Sequence, residues 1–203
     1  VASVFSLDFE DGTLNGFDST PGTGTLDAHA DAAKLGSYGF RIQGAGTGYG
    51  RMNVAKDTLY VGFHWQAVGG FSSNERIVAI KDGSGNNLAT IFIDANQFYR
   101  QIGGGSSGYE GTITTGQWYY IEILANYDAG GSNYEFWVDG VSKDSQSSLS
   151  WPGQIGRIYF GSEYAYDASE GAYYDNIAAD DSARVTEPTA GGESIVVLRR
   201  RRM

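Results

Sequence analysis

Apolar and polar residues alternate one for one through much of this chain: at Phe5, Leu7 and Phe9, at Tyr38, Phe40 and Ile42, at Leu59, Val61, Phe63 and Trp65, at Tyr119, Ile121 and Ile123, and at Tyr134, Phe136 and Val138. A spacing of two sends one face of an extended segment into a core and the other into water, so these segments are predicted as half-buried β-strands. Between them stand Asp82-Gly83-Ser84-Gly85-Asn86-Asn87, Gly103-Gly104-Gly105-Ser106-Ser107-Gly108, Asp128-Ala129-Gly130-Gly131-Ser132-Asn133 and Asp139-Gly140. Gly, Asn and Asp accept the left-handed backbone that tight hairpins demand. The 30 glycines and 14 tyrosines against 3 prolines fit many short strands joined by such turns. Only residues 27–34, with their alanines, suggest a short turn of helix. The fold class expected is all-β, with two antiparallel sheets packed face to face.

A chain of 203 residues is enough for one core and too short for two full sandwiches. The domain is predicted over residues 1–182, its last strand running from Ala172 to Ala178. Residues 183–193, with Thr186-Glu187-Pro188-Thr189-Ala190-Gly191-Gly192, read as a linker. Residues 194–203 form a tail in which Ile195, Val196, Val197 and Leu198 precede Arg199, Arg200, Arg201 and Arg202. An arginine run of this kind is a solvated or processing-related end. Alternatively, the β-branched segment adds as a strand to a neighbouring subunit, giving a homo-oligomer or larger assembly.

The formal charge of −10 sets the body of the domain against nucleic acid and anionic membranes, and the partner expected from it is neutral or cationic. There is no cysteine, hence no disulfide and no thiolate metal site. No apolar run approaches the roughly 20 residues that span a bilayer. The chain begins at Val1, which fits a removed signal, a processed precursor or an edited chain alike.

Acidic residues gather near both ends, in Leu7-Asp8-Phe9-Glu10-Asp11-Gly12 and in Tyr173-Tyr174-Asp175-Asn176-Ile177. If the terminal strands are neighbours, these oxygens meet. Asp175 is in phase with Tyr173 and Ile177, and if those face the core its carboxylate needs a partner, because an unpaired buried carboxylate is too costly to persist. Calcium takes six to eight oxygens, and Glu10, Asp175, Asp8, Asp11 and carbonyls near Ser37 are the candidate donors of a structural site. The alternative is an Asp175 paired with Arg41 or capping a turn, with Glu10 and Asp11 solvated.

Sugars present CH faces that stack on aromatic rings. Tyr99, Tyr109, Trp151, Tyr164 and Tyr166 lie in or beside loops, and alternation makes Tyr164 and Tyr166 the most plausible sugar-facing pair. The structural alternative for each is packing or an interface. Trp65 and Trp118 are expected in the core, and His64 is expected to face outward from its strand. Catalysis is not expected. Glu135 and Asp139 are four apart, the second in a turn, where a retaining glycosidase needs two carboxylates about 5 to 5.5 Å apart. His29 and His64, the two histidines, support no zinc triad. Gly44-Ala45-Gly46-Thr47-Gly48 and Gly103-Gly104-Gly105 lack the Lys-Ser or Lys-Thr of a phosphate loop and read as turns.

In order along the chain, Phe9-Glu10-Asp11-Gly12-Thr13-Leu14-Asn15-Gly16-Phe17, Gly36-Ser37-Tyr38-Gly39-Phe40-Arg41-Ile42, Asp82-Gly83-Ser84-Gly85-Asn86-Asn87-Leu88-Ala89, Thr115-Gly116-Gln117-Trp118-Tyr119-Tyr120-Ile121-Glu122, Phe136-Trp137-Val138-Asp139-Gly140-Val141 and Tyr174-Asp175-Asn176-Ile177 resemble the concanavalin A-like or laminin-G-like jelly rolls of bacterial and phage surface proteins. The resemblance spans about residues 4 to 182. It also extends to jelly-roll carbohydrate-binding modules, where a Glu of the first strand and an Asp of the last commonly hold a structural calcium, which maps onto Glu10 and Asp175. It implies a non-catalytic, glycan-binding or adhesive module at the cell surface, the virion surface or otherwise outside the cell. The alternative function is a structural subunit of a virion or extracellular filament joined through the tail. The Glu-x-Asp-x-x-Glu pattern of laminarinase-like enzymes is missing.

Overall fold

A computed structural model of the chain describes residues 4–69, 75–94, 96–103, 106–188 and 197–198. In chain order the strands are β1 (Phe5–Leu7), β2 (Thr25–His29), β3 (Gly39–Gln43), β4 (Gly46–Lys56), β5 (Thr58–Val68), β6 (Glu75–Asp82), β7 (Asn87–Asp94) and β8 (Gln97–Ile102). They continue as β9 (Ser106–Thr112), β10 (Trp118–Asn126), β11 (Ser132–Val138), β12 (Val141–Leu149), β13 (Ile155–Tyr166), β14 (Gly171–Asp180), β15 (Arg184–Val185) and β16 (Val197–Leu198). The segment predicted to make a short turn of helix completes β2 and then makes that turn as a 3-10 helix at Ala30–Ala32.

Two antiparallel sheets form the jelly-roll sandwich. One has the order β12-β11-β10-β5-β14-β3-β2, with β1 also on β14, and the other has the order β4-β13-β6-β7-β8-β9. The terminal strands are neighbours, with Phe5 opposite Ala179 and Leu7 opposite Ile177. The Asp139-Gly140 turn has both residues at positive φ, 50° and 75°, as a two-residue hairpin between β11 and β12 requires.

Period-two faces from both sheets meet in the middle. Leu59, Val61, Phe63 and Trp65 of β5 are buried there with Phe40, Ile42, Phe160 and Tyr174. Burial of such side chains contributes roughly 1.5 to 3 kcal/mol each. Phe17 and Phe40 stack edge-on at 5.0 Å, and the Tyr174 hydroxyl donates to the Ile77 carbonyl at 2.8 Å, so β14 of one sheet is tied to β6 of the other. At the edge, Arg100 of β8 reaches Asp144 of β12 at 2.6 Å, closing the gap between the sheets with an ion pair.

The outer face of the eight-stranded sheet is covered by the chain's own C-terminal segment. Residues 183–187, predicted as the start of a linker, pack across β5 and β10, with Ala183 and Val185 buried. Arg184 grips Glu122 of β10 with two hydrogen bonds, 2.7 and 2.5 Å, and its guanidinium lies 4.3 Å from the Trp137 ring. Gly62 makes room for this strap, because a Cβ there would strike the Tyr120 hydroxyl and press on Val185. His64 does project outward from β5, as alternation predicts, yet the strap buries it, with Nε2 at 3.1 Å from Glu187. Of the tail, Val197 and Leu198 pair with Val185 and Arg184 of the same chain. Ile195, Val196 and Arg199 to Arg202 lie outside the described residues.

Candidate functional site

The predicted acidic cluster divides in two. Glu10 and Asp175 converge on the loop that leads into β3: both Glu10 oxygens accept from the Ser37 amide at 2.9 Å, and one also accepts from Tyr38. Asp175 Oδ2 accepts from the Lys34 and Leu35 amides at 2.9 and 2.8 Å. Gly36, at φ +81°, sits where a Cβ would run into the Glu10 carboxylate. Asp8 and Asp11 are used locally instead, Asp8 accepting from the Glu10 amide and Asp11 from the Thr13 amide and hydroxyl.

Asp175 reaches its place by a route that alternation misjudges. Tyr174, not Tyr173, enters the core, and a bulge at Asn176, with φ 49°, restores Ile177 to the inner face. Asp175 therefore lies on the outer face opposite His64, buried beneath residues 34–35. Arg41 is not its partner, being paired with Asp27 at 2.6 Å. Burial pushes the Asp175 carboxyl up to about 6, against the pull of its amide donors, and the nearby Glu10 charge pushes the same way. A buried carboxylate with a second one beside it fits hard-cation chemistry. Among the described residues no three acidic or histidine side chains gather at one point, so an ion here would draw its remaining oxygens from carbonyls.

The aromatic candidates separate by burial. Tyr164 is 53 % exposed. Tyr166, predicted to share its face, is 2 % exposed and packs in the core, because β13 shifts register between Ser162 and Tyr166 against β4. The extra residues let Glu163 and Tyr164 both serve the outer side, and Ser162 Oγ pins the irregularity by accepting from the Tyr164 and Arg76 amides. Trp151 is also a core residue, 7 % exposed, which removes it as a sugar contact. Tyr99 lies on β8 opposite Phe92 and Tyr109, with its ring 6.1 Å from Phe92; the Tyr109 side chain lies outside the described residues.

Around Tyr164 the outer face of the six-stranded sheet carries a group of residues that sequence reading did not assemble. Arg76 of β6 and Lys81 of the same strand both pair with the single carboxylate of Glu163, Lys81 at 2.7 Å. Arg76 also lies 4.7 Å from the Tyr164 ring centre and 5.6 Å from that of Phe92, and Lys81 Nζ lies 4.7 Å from that of Tyr159. Tyr159 stacks on Tyr49 at 4.5 Å and 11°. Register adds Arg51 opposite Tyr159, Arg157 opposite Lys81 and Thr90 opposite Ala79, all on the side away from the core. One signal was available: Tyr49 and Arg51, and Arg157 and Tyr159, are each in phase two residues apart. Bulges at Arg76/Val78 and at Ser162/Tyr166 hid the rest.

No family model and no curated protein sequence matches the chain. Solved structures do. "Cellulose induced protein, Cip1" superposes with a TM-score of 0.68 at 16 % identity, covering 91 % of this chain and 100 % of that one. Domain 4 of AbnA, a GH43 extracellular arabinanase from Geobacillus stearothermophilus, in complex with arabinotriose, gives 0.59 at 15 %, covering 87 % and 90 %. The Emp47p carbohydrate recognition domain gives 0.58 at 11 %, covering 89 % and 96 %. At these identities the likeness shows the jelly-roll fold.

Proposed function

We propose that this protein is a non-catalytic glycan-binding module whose contact surface is the outer face of the six-stranded sheet around Tyr164. The observation that carries this reading is an exposed tyrosine whose ring lies over a buried guanidinium and whose hydroxyl accepts from it, beside the Tyr49–Tyr159 stack. Such a ring loses little entropy when a sugar stacks on it, since its position is fixed beforehand. The jelly-roll neighbours named for a carbohydrate recognition domain and for an arabinotriose complex support the same reading. Glu163, the acid at the centre of the face, serves as ion-pair partner to Arg76 and Lys81, which accords with binding rather than turnover. Its setting is extracellular, at a cell or virion surface. The other reading, a structural subunit joined through the tail, draws on a segment whose described part, Val197–Leu198, pairs within its own chain.

Affinity electrophoresis against a polysaccharide panel tests the proposal. The intact protein is expected to be retarded by at least one glycan, and Tyr164→Ala to weaken that binding roughly tenfold, the effect of losing about 1 to 2 kcal/mol at an aromatic anchor. Retardation by none of the panel, or an unaltered Tyr164→Ala, would count against it.

We further propose that Glu10 and Asp175 hold a structural calcium, with Asp8 and Asp11 outside the coordination sphere. An ion that binds only the folded state must raise the unfolding midpoint. Adding millimolar calcium to chelator-treated protein is expected to raise it by several degrees in the wild type and not in Asp175→Ala. Equal midpoints with and without calcium in the wild type would end this assignment.

A further inference from the structure

The glycan face has the opposite charge to the molecule that carries it. The protein holds 14 Lys and Arg against 24 Asp and Glu. Four of the cations, Arg51, Arg76, Lys81 and Arg157, stand together on the outer face of β4, β6 and β13, with Glu163 and Asp94 as the acids in the same phase among the described residues. Four more are the arginines of the tail. The remainder of the chain therefore has six cations against 22 acids, which makes the positive face a local reversal rather than a sample of the whole.

Burial makes the reversal informative. Arg76 and Lys81 are 5 % and 7 % exposed, and they share one carboxylate. Among the described residues, Arg76 and Lys81 thus have one carboxylate paired to the two of them, in a place where water solvates charge poorly. The aromatic rings of Phe92, Tyr159 and Tyr164 offset part of that cost. They do not supply an anion. Arg76 Nε, Arg51 Nε and Thr90 Oγ1 have no hydrogen-bond partner among the described residues, and all three belong to side chains of this face. Burial, Tyr159 and Glu163 push the Tyr49 hydroxyl up, and the charges of Arg51 and Arg157 pull it the other way.

From this we infer that the ligand of the face is an anionic polysaccharide, whose carboxylate or sulfate groups add to the one carboxylate that Arg76 and Lys81 share and pair with Arg51 and Arg157 while its sugar rings lie on Tyr164 and Tyr49. The inference rests on the glycan-binding reading and narrows it. It also reverses the expectation drawn from net charge, that the partner is neutral or cationic: the whole-molecule charge governs approach from a distance, and the face governs contact, because salt screens charges more than about 8 to 10 Å away.

The test uses the full chain and three variants: Arg51→Gln with Arg157→Gln, Tyr164→Ala, and Arg199→Gln through Arg202→Gln. The last removes the tail arginines, which would attract any polyanion. Binding is measured by titration calorimetry against polygalacturonate and alginate as carboxylated polymers, dextran sulfate as a sulfated one, and xylan and dextran as neutral ones, at 20 and 200 mM NaCl. Expected are an affinity for at least one anionic class ten or more times that for the neutral polymers, a further tenfold loss in Arg51→Gln/Arg157→Gln, a loss at the higher salt, and less than a twofold change on neutralising the tail. The two anionic classes tell carboxylate from sulfate. Equal affinity for neutral and anionic polymers, weakened by Tyr164→Ala, overturns this inference and leaves glycan binding standing. Anionic binding that vanishes with the tail arginines also overturns it. No binding to any polymer overturns both. Unfolding midpoints of the variants within a few degrees of the wild type keep a binding loss from being a folding loss.

Discussion

Arg184→Ala is expected to lower the stability of the folded domain by about 3 kcal/mol, the cost of leaving a buried carboxylate without its cation. The carboxylate is that of Glu122, which is 4 % exposed and held by two short hydrogen bonds from Arg184. Glu122 sits on the outer face of β10 opposite Gly62, a position with no side chain of its own to cover it, so the strap is its cover as well as its partner. Arg184 keeps part of its side chain in water, which places the loss at the lower end of the range measured for buried pairs. In a chain of this length the midpoint should fall by roughly 6 to 12 °C. Replacing Glu122 by Gln in the Arg184→Ala background removes the unpaired charge and should return most of the loss. Urea unfolding of the two single variants and the double variant measures this coupling directly. Additive losses, with no recovery in the double variant, would mean that residues 183–187 rest on the sheet without locking it.

The same segment shows where sequence reading stops. The strands were legible because alternation reports a face without reference to anything distant: Leu59, Val61, Phe63 and Trp65 are all buried, as their spacing requires. The clasp was legible in part, since Glu10, in the turn after β1, and Asp175, on β14, belong to segments that a jelly roll must bring together, and they do meet on one loop. Bulges defeated the finer statements. One inserted residue at Asn176 put Asp175 on the outer face, and the irregular stretch after Ser162 parted Tyr164 from Tyr166. Alternation says which residues share a side, and each bulge resets that count with no marker in composition. His64 shows the other limit: its direction was legible and its burial was not, because the cover comes from a segment more than a hundred residues away. The positive face failed to appear for a related reason. Its members come from four strands, and only the register β4-β13-β6-β7 places them side by side.

Asp175 beneath residues 34–35 and His64 beneath the strap occupy facing positions on β14 and β5, and their titrations pull stability in opposite directions. The folded Asp175 carboxyl is raised to about 6 from an ordinary 3.8. The native state thus takes up this proton before the unfolded chain does, so the contribution is fully present below 3.8 and is lost as pH rises through about 6. His64 is lowered from 6.5 by burial, against the pull of Glu187 and with the push of Lys34. Here the unfolded chain takes up the proton first, and stability is lost as pH falls below 6.5. Asp82 and Asp181, both held below the usual carboxylate range, lose their contributions only below 3.8, outside the range in which this pair titrates. In chelator, therefore, His64→Gln is expected to gain about 2 kcal/mol between pH 7 and 4.5, most of what a buried carboxyl moved from 3.8 to about 6 contributes. Asp175→Asn should lose stability over the same interval, and the wild type should lie between them. Calcium bound beside Asp175 would favour the ionised carboxylate and flatten the rise seen in His64→Gln. Urea midpoints of the three proteins at four pH values, with and without calcium, decide the matter: parallel profiles for both variants would show that neither group titrates as its burial demands.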